Sequence, residues 1–185
     1  MDIQGLRVRV IVFSLLAGLV ALFGLEQAYR YSRVDQPLAR FLAERRDVAE
    51  FRVREVGGLV VLRLRLGRVD NLRETYVALE EGTRSILGAR PFRLEIEDSR
   101  DQRLVDDYYR LHYTIQEGLS TGRFTEMADA LRARAAELGL DEARVYVDVD
   151  RLYVQLRRGD RYLYEVIPRG GAAALSAAPG GGARP

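Results

Sequence analysis

FRVREVGGLVVLRLRL, at residues 51–66, is the stretch of sequence that decides the fold. Apolar and charged side chains alternate on both sides of the pair Gly57 and Gly58, and two consecutive glycines are a strong signal of a tight turn. The pattern therefore predicts an antiparallel β-hairpin with one apolar face and one arginine-lined face. A sheet of this kind is solvated on one side and needs helices to cover the other.

The segments that flank the hairpin predict those helices. Residues 32–47 carry an amphipathic pattern in which Asp35 serves as the N-cap. Residues 71–87 carry a second amphipathic pattern, and residues 92–97 alternate as a third strand. The predicted order over residues 32–98 is α-β-β-α-β.

The second half of the chain predicts a different order of elements. A long helix over residues 102–119 is followed by a second helix with Thr125 as its N-cap. Three short alternating strands follow, so residues 99–169 read as α-α-β-β-β. Residues 170–185 are mostly Gly, Ala and Pro and are predicted to be a disordered tail. The predicted class is α+β, with two small α/β sandwich modules behind an N-terminal transmembrane helix.

That transmembrane helix is predicted from residues 10–25, VIVFSLLAGLVALFGL, which contain no charged side chain. The run is slightly shorter than the roughly 20 residues that span a bilayer, and Tyr29 and Tyr31 can continue it through the interface. A cleaved signal peptide and a buried soluble helix are the alternatives. We predict a retained anchor over residues 1–31, with these side chains holding it in lipid: Val10, Leu15, Leu16, Leu19, Leu22 and Leu25.

The charges around the apolar run predict its orientation. Arg7 and Arg9 precede it and Arg30 and Arg33 follow it, so the count of basic residues is nearly tied. A short basic tail before an apolar run usually stays in the cytoplasm. We therefore expect a single-pass protein of the cell membrane with an extracytoplasmic body, and a cytoplasm-facing body is the alternative.

Composition excludes several kinds of chemistry. All 29 basic residues are arginine, there is no cysteine, and His112 is the only histidine. Without cysteine or lysine there is no disulfide, thiol nucleophile, Schiff base or Walker-type phosphate loop. The formal net charge of +2 does not indicate a nucleic-acid partner. We predict no catalytic, cofactor-binding or metal-binding residues, and hence a protein that is not an enzyme.

One candidate interaction face emerges from the hairpin. It consists of the arginines that alternate with apolar residues, namely Arg52, Arg54, Arg63 and Arg65. This face could bind anionic lipid headgroups or polymers. The same arginines could instead pair with Glu50, Glu55 and neighbouring acids.

Two clusters of acidic residues are considered as candidates for catalysis. Asp148 and Asp150 alternate beside a turn, and several carboxylates lie between Glu95 and Asp107. We expect exposed strand positions for the first group, and a solvated strand face and helix N-terminus for the second. A carboxylate-dependent hydrolase would require Asp148, Asp150 or the carboxylates between Glu95 and Asp107 to converge. His112 is expected to be a structural histidine on its helix.

The order of elements over residues 35–97 resembles two related families of small α/β modules. The likeness is carried by the helix LARFLAERRDV, the hairpin at residues 51–66, the helix NLRETYVALEEGTRSIL and the strand FRLEIE. One family is the ring-building motif of membrane-anchored secretion and sporulation complexes, and the other is the BON-type domain of envelope proteins. The resemblance implies a non-catalytic module that packs side against side or contacts envelope components.

The function predicted from the sequence is a single-pass, membrane-anchored binding or assembly module of the cell envelope. Its partners would be membrane lipid, through the N-terminal helix, and either another protein or a second copy of itself. A membrane-anchored carboxylate-dependent hydrolase and a cytoplasm-facing regulatory domain are the alternatives.

Overall fold

The computed structural model describes residues 36–169 and, ahead of them, Leu15, Leu16 and Leu19. The three leucines are helical, and residues 36–169 form a mixed α+β fold with four helices and two three-stranded sheets. None of the helices among these described residues is long and apolar enough to span a membrane. The other predicted anchor residues and the predicted tail lie outside the described residues.

The first half has the predicted α-β-β-α-β order. Its elements are α1 (Gln36–Ala43), β1 (Val48–Val56), β2 (Leu59–Leu66), α2 (Leu72–Leu87) and β3 (Phe92–Glu97). Strand β2 is central, antiparallel to β1 and parallel to β3. The parallel pairing follows from α2, because two parallel neighbours need a crossover connection between them.

The hairpin turn confirms the prediction from the glycine pair. Gly57 and Gly58 have φ angles of +57° and +81°, the left-handed backbone that a two-residue hairpin turn of the favoured type requires. Alternate residues of β2 are buried on the core face, where they meet α1 and α2. They are Val60, Leu62, Leu64 and Leu66.

Helix α1 is shorter than predicted. It ends at Ala43 rather than at Asp47, and strand β1 begins at Val48. The reason lies in the loop: the Arg45 guanidinium donates to the Asp47 carboxylate, with Nε 2.8 Å from Oδ1. The Gly67 N–H donates to the Asp47 carbonyl at 2.8 Å, which fastens this loop to the end of β2.

Helix α2 begins as the sequence indicates. The Asn71 side-chain oxygen accepts the Glu74 N–H at 3.2 Å, and the Asn71 amide donates back to the Glu74 carboxylate at 2.8 Å. This pair satisfies one of the N–H groups that the first turn of a helix leaves without an intrahelical partner.

The second half has the predicted α-α-β-β-β order. Its elements are α3 (Gln102–Thr121), α4 (Phe124–Glu137), β4 (Glu142–Val147), β5 (Arg151–Arg158) and β6 (Arg161–Pro168). All three strands are antiparallel neighbours in sequence order.

Two local predictions in this half are wrong. Helix α4 begins at Phe124, so Thr125 is not its N-cap, and no side chain caps it. Alternation of Val145, Val147 and Val149 predicts a strand through Val149, but β4 stops at Val147, and Val149 lies in the loop with its side chain exposed. Alternation alone extended the strand, whereas pairing with β5 ends where Val147 meets Leu152.

Strand β5 is buried on both faces. Leu152 and Val154 pack in the core beneath α3 and α4, whereas Tyr153 is fully buried in the core of the first half. Tyr164 of β6 joins Tyr153 there. The second sheet is therefore enclosed between its own helices and the first half of the molecule.

Polar side chains fix this junction. The Tyr164 hydroxyl accepts the Val69 N–H at 3.0 Å and donates to the Gly67 carbonyl at 3.2 Å. The buried Gln155 side chain accepts the Leu72 N–H at 3.1 Å and donates to the Val69 carbonyl at 2.8 Å. The loop between β2 and α2 is thus satisfied by residues more than 80 positions away.

Candidate interaction face

Strand register places the four predicted arginines on one face of the first sheet. Arg52 lies opposite Arg63, and Glu50 lies opposite Arg65, across the β1–β2 pair. Directly opposed residues in a sheet share a face. Arg54 is on the same face because it is two residues from Arg52 along the strand.

Strand β3 contributes acids to this face. Arg63 contacts Glu95 at 3.1 Å and Glu97 at 3.4 Å, and Arg65 contacts Glu50 at 3.0 Å and Glu97 at 3.8 Å. The alternative of internal ion pairing therefore holds for Arg63 and Arg65. These side chains are nearly half exposed, so the pairs orient charge more than they stabilise the fold.

The end of the face next to the hairpin turn carries the positive charge. Arg52 and Arg54 are exposed and form no ion pair with any described residue. Arg54 and Arg93 flank Val61 in the same row across the sheet. Five arginines and three glutamates on this face give a formal charge of 5 − 3 = +2; they are Arg52, Arg54, Arg63, Arg65, Arg93, Glu50, Glu95 and Glu97.

Glu55 lies opposite Val60 and therefore belongs to the other side of β1, where it pairs with Arg90 at 3.0 Å. Among the described residues, Arg52 and Arg54 are therefore the arginines of this face that an anionic partner could reach without breaking an ion pair.

Strand β1 also forms an open edge, which the sequence did not reveal. Within residues 36–169, β1 has β2 as its one strand neighbour, whereas β3 at the opposite edge of the sheet contacts β6. Val53, on the core face of β1, is 39% exposed, and Val56, on the arginine face next to the turn, is 66% exposed. Alternation of side chains does not specify the order of strands in a sheet, so the sequence alone could not indicate that these valines lie along an edge strand.

The acidic residues between Glu95 and Asp107 have separate roles. The side chain of Asp98 is buried; its carboxylate accepts the Tyr164 N–H at 2.7 Å and pairs with Arg100 at 2.6 Å. Asp101 caps α3 by accepting the Leu104 N–H at 2.8 Å. The expectation of a solvated group is therefore wrong for Asp98.

It is also wrong for Asp107, which is buried on the inner face of α3. Its carboxylate pairs with the guanidinium of Arg158, which also donates to the Leu138 carbonyl at 2.8 Å. This arrangement ties α3 to the end of β5 and to the end of α4.

Asp148 and Asp150 lie in the loop between β4 and β5, so the prediction of strand positions is wrong. The Asp148 carboxylate accepts the Asp150 and Arg151 N–H groups at 3.0 and 2.7 Å and the Tyr153 hydroxyl at 2.8 Å. Burial raises the pKa of Asp148, but these hydrogen bonds outweigh it, and the pKa is lowered. Asp148 therefore serves as a turn-forming residue.

His112 lies on α3 among tyrosines, with its ring centre 5.8 Å from that of Tyr108 and 6.4 Å from that of Tyr113. Its Nδ1 is buried and has no hydrogen-bond partner among the described residues. Within residues 36–169 and the three helical leucines, no group of three or more His, Asp or Glu side chains is arranged to hold a metal ion.

Comparison with family models, curated proteins and solved structures finds no match to this chain.

Proposed function

We propose that this protein is a single-pass, membrane-anchored, non-catalytic binding or assembly module of the cell envelope. The N-terminal helix holds it in lipid, and the α+β body is extracytoplasmic. A protein partner, or a second copy of the chain, binds the body.

The observation that carries this proposal is the apolar segment at residues 10–25. Three of its residues, Leu15, Leu16 and Leu19, are helical with 74%, 59% and 65% of their surface exposed. Their spacing places them along one side of a helix. Large apolar side chains exposed together are costly in water, and lipid would cover them.

Two features of the body support a binding role. In the part of the chain that the structure describes, Arg52 and Arg54 at the basic end of the arginine face form no ion pair, and β1 is an edge strand with exposed valines. The likeness to ring-building and BON-type modules, which rests on the order α-β-β-α-β, points to the same kind of role. Four of the carboxylates weighed for hydrolysis are instead engaged with arginines, backbone N–H groups or a tyrosine; they are Glu95, Asp98, Asp101 and Asp148.

Alkaline carbonate extraction of membranes from cells that express the full chain tests the anchor. We expect the wild-type chain to stay in the membrane pellet and the double variant Leu16→Arg/Leu19→Arg to enter the supernatant. Each arginine near the bilayer centre costs about 2.5–3.5 kcal/mol in insertion. The control Leu16→Ala/Leu19→Ala should stay in the pellet, and release of the wild-type chain by carbonate would contradict the proposal.

A topology reporter fused after Arg169 tests the orientation. A reporter active only outside the cytoplasm should be active in the wild-type fusion. Activity of a cytoplasmic reporter at the same position would instead place the body on the cytoplasmic side and favour a regulatory domain.

A further inference from the structure

We propose that the partner of the body is a second copy of the same chain, paired antiparallel along β1. The two sheets would join into one of six strands, in the order β3-β2-β1-β1-β2-β3. This inference specifies the partner in the assembly role proposed above and rests on that role.

The first argument is the free edge. No backbone hydrogen bond connects residues 49–56 to any described residue outside the hairpin. The outward N–H and C=O groups of β1 are therefore not taken up by any element of residues 36–169, and a strand edge of this kind is a ready template for strand addition. The opposite edge is unsuitable because β3 adjoins β6.

The second argument is charge complementarity in a two-fold register. If Arg52 lies on the two-fold axis, Glu50 of each copy faces Arg54 of the other, and Phe51 faces Val53. Opposite charges directly across a strand pair are favourable. The two Arg52 side chains meet at the axis, on the solvated face where water and salt screen their repulsion.

Neighbouring registers fit this edge less well. An axis at Val53 would place Arg52 against Arg54 twice, so like charges would oppose each other on both sides. An axis at Phe51 would set Val53 and Arg54 against the β-bulge between Val48 and Glu50 of the other copy and would leave three residues of β1 in regular pairing. With the axis at Arg52, the five residues from Glu50 to Arg54 pair ahead of that bulge.

The third argument is that pairing along β1 would cover exposed apolar surface. Val53 is 39% exposed on the core face, although its neighbour across the hairpin, Leu62, is fully buried. In the proposed pair Val53 would contact the half-buried Phe51 ring of the second copy. An aromatic ring opposite a β-branched residue is a stabilising cross-strand pair.

Anchoring of both chains in one membrane makes an interface of a single strand pair sufficient for dimerisation. One pair of strands buries little surface, and a contact of this size is weak between molecules that diffuse freely. Two chains held in the same membrane meet at a high effective concentration, which raises the fraction that is paired without any additional contact.

Cysteine cross-linking of the full chain in native membranes tests the pairing, because the natural sequence has no cysteine. Arg52→Cys should form a disulfide-linked dimer on mild oxidation, since directly opposed Cα atoms are about 4.5–5.5 Å apart and disulfides bridge such distances. Val53→Cys, one residue along the strand, is the matched control. Its two Cα atoms would be diagonal, at about 7–8 Å, so it should cross-link at least about tenfold more slowly.

A charge exchange tests the register independently. In the Arg52→Cys background, Glu50→Arg should reduce cross-linking because it places arginine against Arg54, and adding Arg54→Glu should restore it. Equal cross-linking of Arg52→Cys and Val53→Cys would overturn the proposal, as would dimers that form at Val53 alone or at neither position.

These outcomes can be separated from failure of the anchor. Membrane retention in carbonate reports on residues 10–25 alone, so a chain that stays in the pellet yet fails to cross-link at Arg52 contradicts the strand pairing and leaves the anchor in place. A chain released by carbonate contradicts the membrane role itself.

Discussion

Replacing Gln155 with leucine should destabilise the whole body, although the substitution puts an apolar side chain into a buried position. Gln155 is 3% exposed and lies on β5, where its amide joins the second sheet to the loop ahead of α2. Leucine is similar in size but offers neither donor nor acceptor. The Leu72 N–H and the Val69 carbonyl would then lose their side-chain partner inside the protein.

The magnitude follows from those two groups. Each buried polar group without a partner costs about 1–3 kcal/mol. Loss of the third contact of Gln155, to Glu142 at 2.8 Å, leaves no group without a partner, because Glu142 keeps its ion pairs with Arg144 and Arg157. Allowing for the favourable burial of the leucine side chain, we expect a net loss of about 2–4 kcal/mol in the free energy of unfolding.

Urea denaturation of the detergent-solubilised chain, followed by far-ultraviolet circular dichroism, measures this loss. The control is Gln116→Leu, the same chemical change at an exposed position of α3, which should shift stability by less than about 0.5 kcal/mol. Because the core of the first half contains Tyr153 from the second sheet, residues 36–169 should unfold in one transition. A Gln155→Leu variant as stable as its control would refute the reasoning.

Two further substitutions test packing and burial by the same assay. Gly82→Ala should lower the free energy of unfolding by about 1–3 kcal/mol, although alanine favours a helix, because its Cβ would overlap the Phe41 ring. Combining Gly82→Ala with Phe41→Ala should recover part of this loss. Losses that simply add in the double variant would contradict the contact. Asp107→Ala should lower the free energy of unfolding by about 3 kcal/mol, because it leaves the half-buried Arg158 guanidinium without its carboxylate partner. The control Asp106→Ala, at the exposed neighbouring position, should change that free energy by less than about 0.5 kcal/mol. Equal effects of the two variants would show that burial of Asp107 contributes nothing.

The order of elements could be predicted because each signal is local. Alternation from Phe51 to Leu66 and the positive φ of Gly57 and Gly58 depend only on neighbouring residues. The cap at Asn71 is local as well, since its partner is Glu74. For the same reason the arginines of the candidate face could be assigned to one side of the hairpin.

What the sequence left open depends on residues far apart in the chain. Asp98 and Asp107 appear as solvated acids until Tyr164 and Arg158, more than 50 positions away, are placed beside them. The ion pairs that neutralise Arg63 and Arg65 required β3 to lie next to β2, which fixes Glu95 and Glu97 opposite them.

The sequence by itself determined the helices, the strands, the arginine-lined face and the apolar N-terminal segment, because side-chain period and turn chemistry act over a few residues. Only the tertiary structure decided that β5 is buried on both faces and that β1 is an edge strand of the sheet formed by the described residues. Sheet order and the packing of one sheet against the other half follow from long-range burial, and a strand's own sequence does not reveal which of its edges or faces a distant element will cover.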